Sequence, residues 1–241
     1  MPALHLDAAF GLGGDMFLAA LADVGYDPAP LQEALRAAGI AADLSCPRTV
    51  RHGLAGRRLD ISFPQEQPLR HLEDLLRLLA AMPLPARVLE RSAAAFRRLA
   101  EVEAAVHGIG VEQVHFHEVG AADTLADVAG AFHALHCLGL DRVTCSPLPW
   151  FRGTVRCAHG VLPLPAPATR ELLKGKPVFP TEFTREIITP TGALILDQCV
   201  DAFANGPEGI ILATGAGFGT LDLGAEGQGL RAVLYDPTRV P

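Results

Sequence analysis

Apolar and polar residues alternate along this chain in two rhythms, one with a period near two and one near 3.6, and the rhythms keep switching. The first marks strands and the second amphipathic helices. Ala3–Ala8 alternates, with Leu4 and Leu6 on one face and His5 and Asp7 on the other, and reads as a short strand. A glycine turn through Gly11, Gly13 and Gly14 leads to Asp15 and a helix from Met16 to about Val24, stopped by Gly25. Pro28–Ala38 is a short amphipathic helix. Leu44–Val50 and Arg57–Phe63 alternate as a hairpin that turns through Arg51, His52 and Gly53. After the breaker Pro64–Pro68, helical spacing runs over Leu69–Ala81 and Pro85–Val106.

The second half continues the alternation. Val114–Glu118 reads as extended, and Ala122–His136 as a helix with Leu125, Val128, Ala129, Phe132 and Leu135 on one stripe. Strands are expected at Arg142–Ser146 and Thr154–Cys157, then an extended Val161–Pro167 and a helix ending at Gly175. A helix Ala193–Phe203, an apolar strand Gly209–Thr214, a glycine turn Gly215–Gly219 and a last strand Leu230–Tyr235 complete the pattern. Alternating strands and helices predict an α/β fold, a mixed sheet with helices on its faces. The expectation is one domain over residues 1–241, with 69–106 as an inserted helical layer or subdomain.

Charge and cysteine usage narrow the partners. A net charge of -7 and a pI near 5.7 argue against a nucleic-acid backbone as the main partner. No apolar run approaches the ~20 residues that span a bilayer, and the N-terminus lacks the basic and apolar segments of a signal peptide. Five cysteines, an odd number with no C-x-x-C pair, fit reduced thiols in a cytoplasmic protein.

The densest chemistry lies in Gln113–Gly130, which gathers His115, His117, Glu118, Asp123 and Asp127 at a strand-to-helix turn. Side chains alternate along a strand, so His115 and His117 share a face. Asp123 and Asp127 lie one helical turn apart, with the small residues Gly130 and Ala134 on their side, which suggests room for a ligand. Imidazoles and carboxylates so placed suit a divalent metal; the plainer alternative is an acidic first helical turn favoured by the helix dipole. His5-Leu-Asp7 before the Asp15-led helix echoes this arrangement, so two such turns on one sheet could face each other. Asp15 either caps its helix or joins a metal or substrate site. Thr189-Pro190-Thr191-Gly192 opens a helix whose free N–H groups suit a phosphate or carboxylate, or simply a cap. Cys157 and His159 share a strand face, as a nucleophile pair, a soft metal contact or plain structure.

Longer motifs resemble one family. His115–Gly120 with Asp123 and Asp127 resembles the HFHEVGAxDSxxDxxG signature of LarC-type nickel insertion proteins. So do Cys145–Pro149, Cys157–Thr169, Leu172–Pro177, Thr189–Ala193, Gly215–Asp222 and the N-terminal Leu6–Leu21, all in family order. The resemblance implies insertion of nickel into pyridinium-3,5-bisthiocarboxylic acid mononucleotide, forming a nickel-pincer cofactor, a lyase-class reaction that consumes CTP with Mg²⁺ or Mn²⁺. With it, the residues fall into roles. His115, His117, Glu118 and Asp7 are the candidate nickel ligands, and Glu118, Asp123 and Asp127 the candidate bases. Asp15, Ser146, Arg152, His159, Thr189 and Thr191 are the candidate substrate contacts. Three departures stand out. The family's first loop, DCFSGISGDM, has here Ala8, Phe10 and Gly13 in place of a cysteine and two serines. Only His71 stands where many members carry a histidine-rich run, so no nickel reservoir is expected. The family's CTP-binding domain would follow Pro241, so the expectation is either a separate partner chain or a trimmed sequence. The rival readings are a metal-dependent hydrolase built on His115, His117 and Asp123, with His5, His159 or Asp7 as further ligands, and a non-catalytic metal-binding half.

Overall fold

The structure is a computed structural model and describes residues 1–63, 70–116, 122–157, 160–224 and 229–238. It is a mixed α/β arrangement built on a seven-stranded sheet. In spatial order the strands are Ala202–Phe203, Val143–Cys145, Ala3–Asp7, Leu230–Asp236, Ile210–Phe218, Leu54–Arg58 and Arg48–Arg51. Ala3–Asp7 sits near the middle, parallel to Val143–Cys145 and antiparallel to Leu230–Asp236. The helices are α1 (Gly14–Asp23), α2 (Ala29–Ala37), α3 (Leu72–Ala81), α4 (Ala86–His107), α5 (Ala122–Cys137), α6 (Pro167–Leu172) and α7 (Pro190–Cys199). No helix among the described residues is long and apolar enough to cross a membrane.

Helix α1 lies between the sheet and α5. Its Phe17, Leu18, Ala19, Ala20 and Leu21 are all buried, so both of its sides are packed. The Gly215–Gly219 segment, expected as a turn, is instead mostly strand: Ile210–Phe218 runs unbroken through Gly215 and Gly217. A Cβ on Gly217 would lie 2.0 Å from the Met16 carbonyl oxygen, and one on Gly215 within 2.9 Å of that of Ala20. These glycines let a helix backbone sit directly on a strand, a use of strand glycine that mimics a turn in sequence. The opposite face of the sheet carries His5, Asp7, Thr214, Arg231 and Val233, which line a separate cavity of about 510 Å³.

Two other expectations shift. The hairpin turns at His52 and Gly53 as expected, but Cys46 and Pro47 split it. Arg48–Arg51 pairs with Leu54–Arg58 in the main sheet, whereas Asp43–Ser45 pairs with Asp60–Ser62 in a separate ribbon. The last helix stops at Cys199, and Ala202–Phe203 becomes an edge strand beside Val143–Cys145. Residues 72–81 and 86–107 do form the helical layer, with α4 packed on α3, α5 and α6.

Helix α5 is buried almost all round. Gly130 and Ala134, read as leaving room for a ligand, are fully buried instead, Gly130 against Leu18 and Leu31. Small residues there let α1 and α2 approach, and only the Asp123–Asp127 end of that face opens to a cavity. His115–Phe116 pairs with Arg70–His71 outside the main sheet. The two echoing turns therefore do not share one sheet, although the helices they lead into, α1 and α5, pack together.

Candidate functional site

Three helix N-termini converge on one cavity of about 610 Å³. The loop before α1 is laced to the residues before α7: Leu12 N–H donates to the Ile187 carbonyl at 2.8 Å, and Thr189 N–H donates to the Leu12 carbonyl at 3.1 Å. That lacing sets the start of α1, with Asp15, beside the start of α7, with Thr189 and Thr191. The first turns of α5 bring Asp123 and Asp127 to the same space. A Cβ on Gly14 would lie 2.2 Å from Asp127 Oδ2, so glycine is what admits this carboxylate.

The electrostatics are unusual for a solvent-filled cleft. Burial pushes the Asp127 carboxyl well above the usual carboxylate range, and the neighbouring charges of Asp15 and Asp123 push it further. Its Oδ1 is buried and has no hydrogen-bond partner among the described residues. Burial also raises Asp15, against the lowering effect of backbone N–H groups, one from Met16 at 2.8 Å, and of Arg58. Asp60 and Glu186 add further carboxylates to the lining, and Thr220 a hydroxyl. Positive helix ends partly offset this charge. The cavity therefore attracts cations, while the α7 start offers donors to an anion. Thr189 Oγ1 accepts the Gly192 N–H at 3.0 Å as the cap of that helix. Replacing Thr189 by Ala should cost about 1 kcal/mol of stability, read as a lower urea midpoint; an unchanged midpoint would show the cap is redundant.

The candidates from sequence separate in space. Asp15, Asp123, Asp127, Thr189 and Thr191 come together. Asp7 does not join them: it faces the cavity on the other side of the sheet and is ion-paired with Arg231. Ser146 ties strand ends, its Oγ accepting the Ala8 N–H at 3.0 Å. Arg152 is exposed and paired with Glu182 at 2.5 Å. His5, a hydrolase candidate, is buried and bonded to Thr144 Oγ1 at 2.9 Å, and burial lowers its pKa. His117, Glu118 and His159 lie outside the described residues. His115 is described and exposed, but it is not among the residues lining the acidic cavity. Cys157 does line it, as do Asp60, Glu186 and Thr220, which sequence reading did not assign. Among the described residues no three His, Cys, Asp or Glu side chains form a ready-made metal cage.

The family model described as nickel insertion protein matches residues 4–240. The chain belongs to the nickel insertion protein family. A relative from Desulfotalea psychrophila, named "Putative nickel insertion protein", is 44% identical over 227 residues, 93% of this chain and 58% of that protein. One of the same name from Thermomicrobium roseum is 44% identical over 228 residues, covering 92% and 55%. Another, from Citrifermentans bemidjiense, is 39% identical over 240 residues, covering 99% and 62%. This member of the nickel insertion family thus spans less than two thirds of the length of these curated relatives. No solved structure matches the chain.

Proposed function

We propose that this chain is the metal-handling part of an enzyme that inserts nickel into pyridinium-3,5-bisthiocarboxylic acid mononucleotide during nickel-pincer cofactor biosynthesis. Asp127 carries the reading: a carboxyl whose burial disfavours ionisation, with a buried oxygen that has no hydrogen-bond partner among the described residues, at the meeting point of three helix starts. Forming a nickel–carbon bond replaces a ring C–H. The bonding pair stays on carbon and becomes the bond to nickel, and the proton needs an acceptor. An arriving dication favours ionised carboxylates, so it would release the Asp127 proton to solvent and leave a carboxylate beside the ring to accept the ring proton. Nickel is cargo, and the thiocarboxylate sulfurs of the substrate would replace its weak oxygen and imidazole donors.

In this reading Asp123, with Glu118, assists the base. Thr189 and Thr191, with the α7 N–H groups behind them, receive the substrate phosphate. His115 and His117 hold incoming nickel outside the acidic cavity. The CTP-dependent step, with Mg²⁺ or Mn²⁺, belongs to the remaining length of the relatives, supplied by a partner chain or fusion. Among the described residues no cysteine is in a disulfide, which suits a reducing, cytoplasmic setting.

The test combines the chain, the precursor, nickel and CTP, with and without the remaining portion of a relative. Nickel-pincer product should form only when both parts are present. The chain alone should bind CTP at millimolar strength at best, worth about 4 kcal/mol. Calorimetry showing micromolar CTP binding by the 241-residue chain would place the nucleotide site in the wrong polypeptide.

A further inference from the structure

His71 carries no assigned role, yet the fold places it against His115. Arg70–His71 pairs antiparallel with His115–Phe116, and His71 and His115 are direct cross-strand partners. Their ring centroids are 3.9 Å apart with the planes tilted by 52°, so the imidazoles converge rather than stack flat. Two imidazole nitrogens bound cis to one ion, each about 2.1 Å from it, are about 3 Å from each other, a separation that rings this close reach by side-chain rotation alone.

A second observation aims one ring. His71 Nδ1 lies 3.1 Å from the Val114 carbonyl oxygen. A carbonyl can only accept, so Nδ1 carries the proton and Nε2 presents its lone pair. This is the arrangement by which proteins orient a metal-binding imidazole, one nitrogen donating to a carbonyl and the other left to ligate. The backbone N–H of His71 donates to Asp74 Oδ2 at 3.1 Å, which anchors the residue at the start of α3. His115 is exposed, so an ion can enter from solvent.

We propose that His71 and His115 together form a two-imidazole capture site for a divalent transition-metal ion, nickel being the cargo it serves. The inference rests on the reading of His115 as a nickel ligand and adds a cross-strand partner to it. Two imidazoles leave most coordination positions to water, so the ion is bound weakly enough to be released to stronger sulfur donors. Neither histidine lines the acidic cavity, so capture and insertion occupy different places on the molecule.

Calorimetric titration of NiCl₂ into wild type, His71→Ala, His115→Ala, the double variant and the surface control His52→Ala tests it. Each single variant should bind nickel at least tenfold more weakly, the double variant no worse than either single, and the control as wild type. Loss in His115→Ala with wild-type affinity in His71→Ala would overturn the pairing while leaving His115 a ligand. Unchanged affinity in both would overturn the reading of His115 as well. Because His71 also anchors α3, Cu²⁺ electron paramagnetic resonance is run on the same proteins. His71→Ala should lose one nitrogen coupling from the bound-copper spectrum, and an unchanged nitrogen pattern would show that any affinity loss was structural.

Discussion

Asp127→Asn should nearly abolish the proposed nickel insertion, assayed with the remaining portion of a relative supplied, while making the protein more stable. The two effects have one cause. The wild-type carboxyl has one oxygen buried without a partner among the described residues, and two aspartates beside it. An amide has the same shape and does not titrate, so the penalty that burial and the two neighbouring carboxylates place on ionising this group disappears. The gain equals the ionisation free energy that the folded state denies the carboxyl, so it grows as pH rises above about 4. The sign of the pH dependence follows from the raised pKa. In the unfolded chain this group loses its proton near pH 4, whereas the native state keeps it to much higher pH. The native state then binds more protons than the unfolded one, so this group's contribution falls as pH rises from about 4 through the folded pKa. Asp15, raised in the same direction, adds a slope of the same sign. Thermal melts between pH 5 and 8 should show a flatter dependence and higher midpoints for the variant. Activity should fall by about 10²–10⁴-fold, the contribution of a positioned proton acceptor. A variant that keeps full activity would remove Asp127 from the proton transfer, and one less stable than wild type would contradict its electrostatic strain.

Most of the fold was legible because period and breakers announce it. The strand at Ala3–Asp7, the helices α1, α2, α4 and α5, and the turn at His52 and Gly53 all follow from local pattern. What failed locally was decided by packing. Gly215 and Gly217 carry a turn signature, but the helix that needs them lies some 200 residues earlier in the chain. The small face of α5 looked like a ligand pocket because small residues serve close helix packing as readily as they serve a cavity. Along one chain these two uses of glycine and alanine are indistinguishable.

The site divided in a comparable way. Asp15, Asp123, Asp127, Thr189 and Thr191 were recognisable as residues at helix starts, and convergence of those starts makes them line one cavity. Asp7 shared a pattern with them but faces the other side of the sheet, where Arg231 neutralises it. Alternation along the strand could have revealed this, since Asp7 lies on the face of His5 and opposite Leu4 and Leu6. His71 was legible only as the remnant of a histidine-rich run; its place beside His115 depends on a two-residue pairing across 44 positions of chain.

Gly217→Ala should be the most destabilising single methyl addition along the Ile210–Phe218 strand. The added Cβ would lie 2.0 Å from the Met16 carbonyl oxygen and 2.6 Å from the Ala20 backbone nitrogen. Backbone atoms inside a helix cannot step aside as a side-chain tip can, so α1 must lift as a unit or the strand must bend. Overpacking usually costs 1–3 kcal/mol; with both contacts made by helix backbone, about 3 kcal/mol or more is expected, a fall of roughly 10 °C in Tm for a chain of this size. Gly206→Ala serves as the control, because a Cβ there meets nothing within 4 Å, and its midpoint should move little. The consequence reaches the site, since α1 carries Gly14 and Asp15 against Asp127. If α1 lifts, Asp127 gains solvent, its pKa returns toward the ordinary carboxylate range, and the pH slope of stability should flatten even though no titrating residue was changed. Melting Gly217→Ala and Gly206→Ala across pH 5–8 reads both effects. Equal midpoints for Gly217→Ala and wild type would mean that α1 does not press on the strand as closely as the backbone distances require.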